Sequence, residues 1–157
     1  MKKIYLAGGC FWGVERYFQL ADGIIHTRVG YANGTLANPS YGDLCHGLDD
    51  ASETVEIEYE GISLEDVLDL YLKIVDPYSL NQQGHDIGIQ YRTGVYYIDE
   101  KEEKIIKDYL DSNIPGKYAI EVCPLKTFYP AEEYHQNYLI KNPNGYCHID
   151  LTKFMKK

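Results

Sequence analysis

Two short stretches hold residues that could do redox chemistry together. In "GGCFWG", residues 8–13, a cysteine follows two glycines and precedes two aromatic residues. The apolar run before it and the helical spacing after it put Cys10 between a strand end and a helix start. Backbone N–H groups there lack intrahelical partners, and the helix dipole adds partial positive charge. A thiolate in that setting is stabilised, so the pKa is expected to fall. Glycines on both sides leave room for a substrate to reach the sulfur. A cysteine is equally a good small core residue, and local physics leaves both roles open for Cys10. Phe11 and Trp12 are open in the same way, between core packing and the wall of an apolar pocket.

The second stretch is "ETVEIEYE", residues 53–60. Val55, Ile57 and Tyr59 share one face of a strand, and Glu56, Glu58 and Glu60 form the wet face. Glu53 has the parity of the apolar set. If the alternation reaches back to it, its carboxyl points to the core side near the sheet's end; if the strand starts later, it sits in a solvated loop. Buried, it would favour its neutral form and could donate a proton near neutral pH. A reactive thiolate with a poised acid suits attack on an atom whose departing oxygen must be protonated.

Other chemistries fit less well. Cys10, Cys45, Cys123 and Cys147 contain no C-x-x-C pair, and the two Cys-His pairs at 45–46 and 147–148 are adjacent residues, which seldom chelate one ion. Cys45 and Cys123 sit among apolar or strand-like neighbours and read as core residues. A net charge of −9 argues against nucleic acid and anionic membranes as partners. The apolar run from Ile4 to Gly9 is shorter than a signal peptide requires, so it reads as a first strand of a cytoplasmic chain with reduced thiols.

The elements that must position these residues alternate along the chain. Residues 3–8 read as a strand and Phe11–Leu20 as a helix. "GIIHTRVGY" reads as a strand with Ile25, Thr27, Val29 and Tyr31 on one face. "ANGTLANPSYGD" is a turn-rich segment. Ser63 and Asp66 form a capping box for a helix carrying Leu64, Val67, Leu68, Tyr71, Leu72 and Val75. "NQQGHDIGIQ" is a loop leading into the strand "YRTGVYYI". Asp99 with Glu102 caps a further helix whose inner face holds Ile105, Ile106, Tyr109 and Leu110. "YAIEV" reads as the final core strand and "AEEYHQNYL" as a short helix. The expected fold is a two-layer α/β (α+β) sandwich, with helices packed on a mainly antiparallel sheet. One domain is expected over residues 1–157, with an irregular, mobile tail from 141.

"GCFWG" followed by "VER" resembles the signature of the A-type peptide methionine sulfoxide reductases. "NPSYGDLC", "GHDIGIQYR" and "YHQNYLIKNPNGYC" resemble further blocks of that family in the same order, so the likeness runs from Gly8 to Cys147. It implies a ferredoxin-like core and reduction of methionine S-sulfoxide, free or in proteins. Cys10 then corresponds to the nucleophile, and Phe11 and Trp12 to the wall that receives the substrate methyl group. Glu53 corresponds to the acid, Tyr41 and Tyr91 to phenols that bond the sulfoxide oxygen, and Asp86 to a carboxylate lining the pocket. Cys147 corresponds to the resolving cysteine, which closes a disulfide on Cys10 that thioredoxin or a similar dithiol reopens. No metal, flavin or nucleotide cofactor is implied, and the chain is expected to act as a monomer. The final ten residues hold no further cysteine, so a two-step relay is not available. A general thiol peroxidase and a non-catalytic module binding apolar side chains are the rival readings.

Overall fold

The computed structural model describes residues 2–34, 51–83, 86–145 and 147, and a six-stranded sheet forms its centre. The strands in chain order are β1 (Lys2–Ala7), β2 (Ile24–Ala32), β3 (Ser52–Tyr59), β6 (Gly94–Tyr97), β7 (Glu121–Pro124) and β8 (Phe128–Pro130). A separate small hairpin pairs β4 (Gln82–Gln83) with β5 (Asp86–Ile87). The order across the sheet is β7-β6-β1-β3-β2-β8, antiparallel throughout except between β6 and β7. The expected mainly antiparallel sheet with packed helices is what forms. Tyr41, Cys45 and most of the tail expected from 141 lie outside the described residues.

Alternation on the strands decides which face the helices cover. Ile4 and Leu6, Val29 and Tyr31, Val55, Ile57 and Tyr59, and Val95 and Tyr97 are every second residue of four strands, and all belong to one core. Three helices pack into it: α1 (Phe11–Gln19), α2 (Leu64–Leu72) and α3 (Lys101–Asn113). Each fully buried large side chain there contributes about 1.5–3 kcal/mol. The α2 capping box forms as expected: Ser63 Oγ accepts the Asp66 N–H at 3.1 Å, and Asp66 Oδ2 accepts the Ser63 N–H at 2.9 Å. No helix among the described residues is long and apolar enough to cross a membrane.

Several details depart from the pattern reading. A register shift in β2 between Ile24 and His26 turns Ile25 outward, leaving it 54% exposed while Ile24 packs on the core. A bulge of this kind resets the inside–outside alternation, which a strict period of two cannot anticipate. On α3, Ile106 and Leu110 face inward but Ile105 is largely exposed. Asp99 does bond the Lys101 N–H, and the Glu102 carboxylate accepts the Asp99 N–H in return, so the expected Asp99–Glu102 cap forms. "YAIEV" is not the last core strand. It yields the edge strand β7, and β8 follows it on the opposite edge. Glu56 is buried rather than wet, because Tyr5 and Arg28 bond its carboxylate and Phe128 packs on Tyr5.

One buried hydroxyl secures the end of β1. Tyr71, on α2, donates to the Ala7 carbonyl at 2.6 Å and accepts the Gly94 N–H at 3.2 Å. Tyr71→Phe is expected to cost about 1–3 kcal/mol, since both backbone groups lose a partner in the core. Urea unfolding would show it as a lower midpoint at unchanged slope.

Candidate active site

The site forms where β1 leaves the sheet. Leu6 pairs with Val55, so a continued register would set Gly8 opposite Glu53. Instead the chain turns. Gly9 adopts φ 91°, a conformation that favours glycine, and Cys10 becomes the N-cap of α1. Gly8 is explained by packing rather than substrate access: a Cβ there would meet Val75 Cγ1 at 2.8 Å. The turn lays the first residues of α1 over the end of β3.

Glu53 lies within β3 on the core face, as its parity requires, and is 1% exposed. Its Oε1 accepts the Phe11 N–H at 3.3 Å, taking up one of the helix's unpaired donors. Its Oε2 is buried and has no hydrogen-bond partner among the described residues. Burial pushes the carboxyl up to about 8; the Phe11 N–H opposes this and Asp86 adds to it. At neutral pH the group is a carboxylic acid.

Cys10 is a reduced thiol, 7% exposed. Its pKa does not fall as the helix start alone would suggest. Burial drives it up, the Glu53 charge adds to this, and the Trp12 N–H acts the other way. Here desolvation outweighs the helix terminus, because the thiol is covered rather than set at an open rim.

Asp86, at the start of β5, is half-buried and electrostatically felt by both Cys10 and Glu53. Cys147, also half-buried, is felt by Cys10. Tyr91 ends a 3-10 turn, Ile89–Tyr91, packed against β3. Phe11 is buried between the rings of Tyr31 and His135, with centroids at 5.8 and 5.2 Å. Trp12 is half-buried, stacks on Tyr138 at 3.7 Å and donates its indole N–H to His135 Nδ1 at 2.9 Å. His135 Nδ1 therefore carries no proton, and burial lowers the pKa of the ring.

Sequence reasoning missed His135 and Tyr138, which pack on Trp12, and Gln136, which bonds Val29 beside them. Nothing in their spacing singles them out, since their partners lie more than a hundred residues away. Among the described residues, His26, Glu56 and Glu58 alone bring metal-ligand atoms together. Arg28 already holds Glu56, and Lys3 holds Glu58.

A reduced cysteine beside a neutral, buried carboxyl, with a second cysteine electrostatically felt by the first, is an arrangement suited to a thiol-dependent oxidoreductase. Known proteins narrow it. The family model for peptide methionine sulfoxide reductase matches residues 2–157, and the chain belongs to that family. A peptide methionine sulfoxide reductase of Lachnoclostridium phytofermentans is 55% identical over 159 residues, 98% of this chain and 95% of its own. Reduced Mxr1 from Saccharomyces cerevisiae superposes with a TM-score of 0.86 at 39% identity, covering 93% of this chain and 88% of that one. The same yeast protein in complex with Trx2 gives 0.57 at 26% identity, covering 87% and 84%. The chain is an oxidoreductase that reduces methionine sulfoxide by thiol chemistry.

Proposed function

We propose that one catalytic domain, residues 1–157, reduces the S epimer of methionine sulfoxide, free or in proteins, with Cys10 as nucleophile and Glu53 as acid. The observation that carries this is the pairing of a reduced Cys10 with a neutral, buried Glu53 bonded to the next residue's N–H, its Oε2 uncommitted among the described residues. Cys10 Sγ attacks the sulfoxide sulfur while Glu53 gives its proton to the sulfoxide oxygen. The S–O bond of the sulfoxide breaks, the oxygen ends on Cys10 as a sulfenic acid, methionine leaves with its sulfur reduced, and the proton the thiol gave up returns to Glu53. Phe11 and Trp12 wall the methyl group, and Tyr41, Tyr91 and Asp86 surround the oxygen.

Cys147 then condenses with the sulfenic acid, forming the Cys10–Cys147 disulfide and releasing water. Exchange with a thioredoxin-type dithiol restores both thiols. The yeast relative solved with Trx2, a thioredoxin, supports that partner. The cytoplasm, where such a reductant is kept reduced, is the proposed location.

Cys147→Ser tests the second half of the scheme. It should release about one methionine per enzyme in the absence of reductant and lose thioredoxin-driven turnover. Full thioredoxin-driven turnover in this variant would remove Cys147 from the role.

A further inference from the structure

We propose that Glu15 is a positioning residue for the resolving step, the centre of a clamp that fixes residues 135–138 to α1 and β2 and so limits where Cys147 can search. The inference rests on the resolving role proposed for Cys147.

Glu15 lies one helical turn after Phe11 and is 1% exposed. Both of its oxygens are committed. Oε1 accepts the Asn137 N–H at 2.8 Å, and Oε2 accepts the Thr27 hydroxyl at 2.9 Å. Asn137 takes a left-handed φ of 55° and is the N-cap of α4 (Tyr138–Lys141). A charge-capable side chain this buried, bonded only to a backbone N–H and a hydroxyl, is costly unless it holds something in place.

The residues around Asn137 are held as firmly. His135 takes the Trp12 indole N–H at 2.9 Å, and Tyr138 stacks on the same indole. Gln136 imitates a strand neighbour: its Oε1 accepts the Val29 N–H at 3.0 Å and its Nε2 donates to the Val29 carbonyl at 2.9 Å. Gln19 bonds the Asn137 side chain at 2.8 Å. Every residue from 135 to 138 is thus tied to α1 or β2.

Gly145 N–H bonds the Asn142 carbonyl, and a Cβ at Gly145 would meet the Tyr138 ring at 2.8 Å, so the path to Cys147 starts from the surface of α4. Only residues 142–146 separate α4 from Cys147, which allows a reach of roughly 17 Å. With all of these ties undone, the tether would run from β8, residues 131–146, which sets the upper limit of the effect. Effective concentration falls with about the three-halves power of tether length, so Cys147 would meet the sulfenic acid about sixfold less often.

The test is a single turnover with the S epimer of free methionine sulfoxide, without reductant, with dimedone present to trap sulfenic acid. Glu15→Ala should form methionine within about twofold of the wild-type rate, while the Cys10–Cys147 disulfide forms several-fold more slowly and the dimedone adduct on Cys10 rises to match. Glu15→Gln keeps the acceptor for Asn137 and should behave as wild type. Gln136→Leu, at a half-buried site, should show the same split if Glu15→Ala does not fold. An unchanged disulfide rate in the folded variants, or equal slowing of both steps, would overturn the clamp. A Cys147→Ser enzyme that still closed an intramolecular disulfide on Cys10 at the normal rate would instead overturn the resolving role beneath it.

Discussion

Cys10→Ser will lower reduction of methionine S-sulfoxide by at least about 10⁴-fold, because on the proposed mechanism it removes the atom that accepts the oxygen rather than a group that assists. A hydroxyl at this position cannot form a sulfenic acid, so no alternative route through the same site remains. The fold should be untouched: serine is close in size, and Cys10 is an N-cap position that serine favours. Retained turnover in a folded Cys10→Ser protein would move the nucleophile elsewhere. A second readout comes from the buried thiol itself. Burial holds Cys10 protonated, so iodoacetamide should label it slowly at pH 7 and faster as pH rises. On the proposed mechanism the thiolate is made during attack, as the sulfoxide oxygen gains its proton, rather than stored beforehand. This restraint suits a nucleophile that would otherwise be consumed by stray oxidants.

Much of this site could be read from local pattern. The glycine pair and the helical spacing set Cys10 at a strand-to-helix turn, and parity sets Glu53 on the core face provided β3 reaches back to it, as it does. Both are properties of a few consecutive residues with one dominant period. The sign of the Cys10 pKa was not legible, because it depends on how deeply the β1–α1 turn is covered, and that cover comes from distant segments. Ile25 and Ile105 were misplaced for a related reason. A bulge and a slightly rotated helix face change burial without changing the pattern. The second face of the sheet looked wet from Glu56 and Glu58, but β8 folds back and lays Phe128 beside Tyr5. The clamp was invisible for the strongest reason: Glu15 and Asn137 gain meaning only from each other, across 122 positions. The motif "YHQNY" could be quoted as family-like, yet only the structure shows it anchoring the segment that leads to Cys147.

Glu53 offers the other large effect, and its replacement acts in two directions. Glu53→Ala removes the acid and should cost roughly 10²–10⁴-fold in the first turnover. Glu53→Gln keeps a neutral hydrogen-bonding group against the Phe11 N–H and the substrate oxygen, and should retain much more activity. In the wild type the first-turnover rate should lose the contribution of the protonated acid as pH rises through about 8, and Glu53→Gln should lack that limb. Equal losses in the two variants would mean the carboxyl acts by something other than its neutral form. Stability, by contrast, should gain from losing the carboxyl. The folded pKa is raised from 4.5 to about 8, so between those values the folded chain keeps a proton that the unfolded chain has lost. The folded state binds more protons there, and Glu53 therefore makes stability fall as pH rises from about 4.5 to 8, with no further change above. Glu53→Gln never ionises and escapes this loss. It should match the wild type near pH 4 and exceed it by on the order of 3 kcal/mol at pH 7. Urea unfolding at the two pH values gives the comparison directly, and a Gln variant no more stable at pH 7 than at pH 4 relative to wild type would show that Glu53 is ionised in the fold. A carboxylic acid held neutral by burial is in this way a standing cost to the fold, and most of that cost is already present at neutral pH.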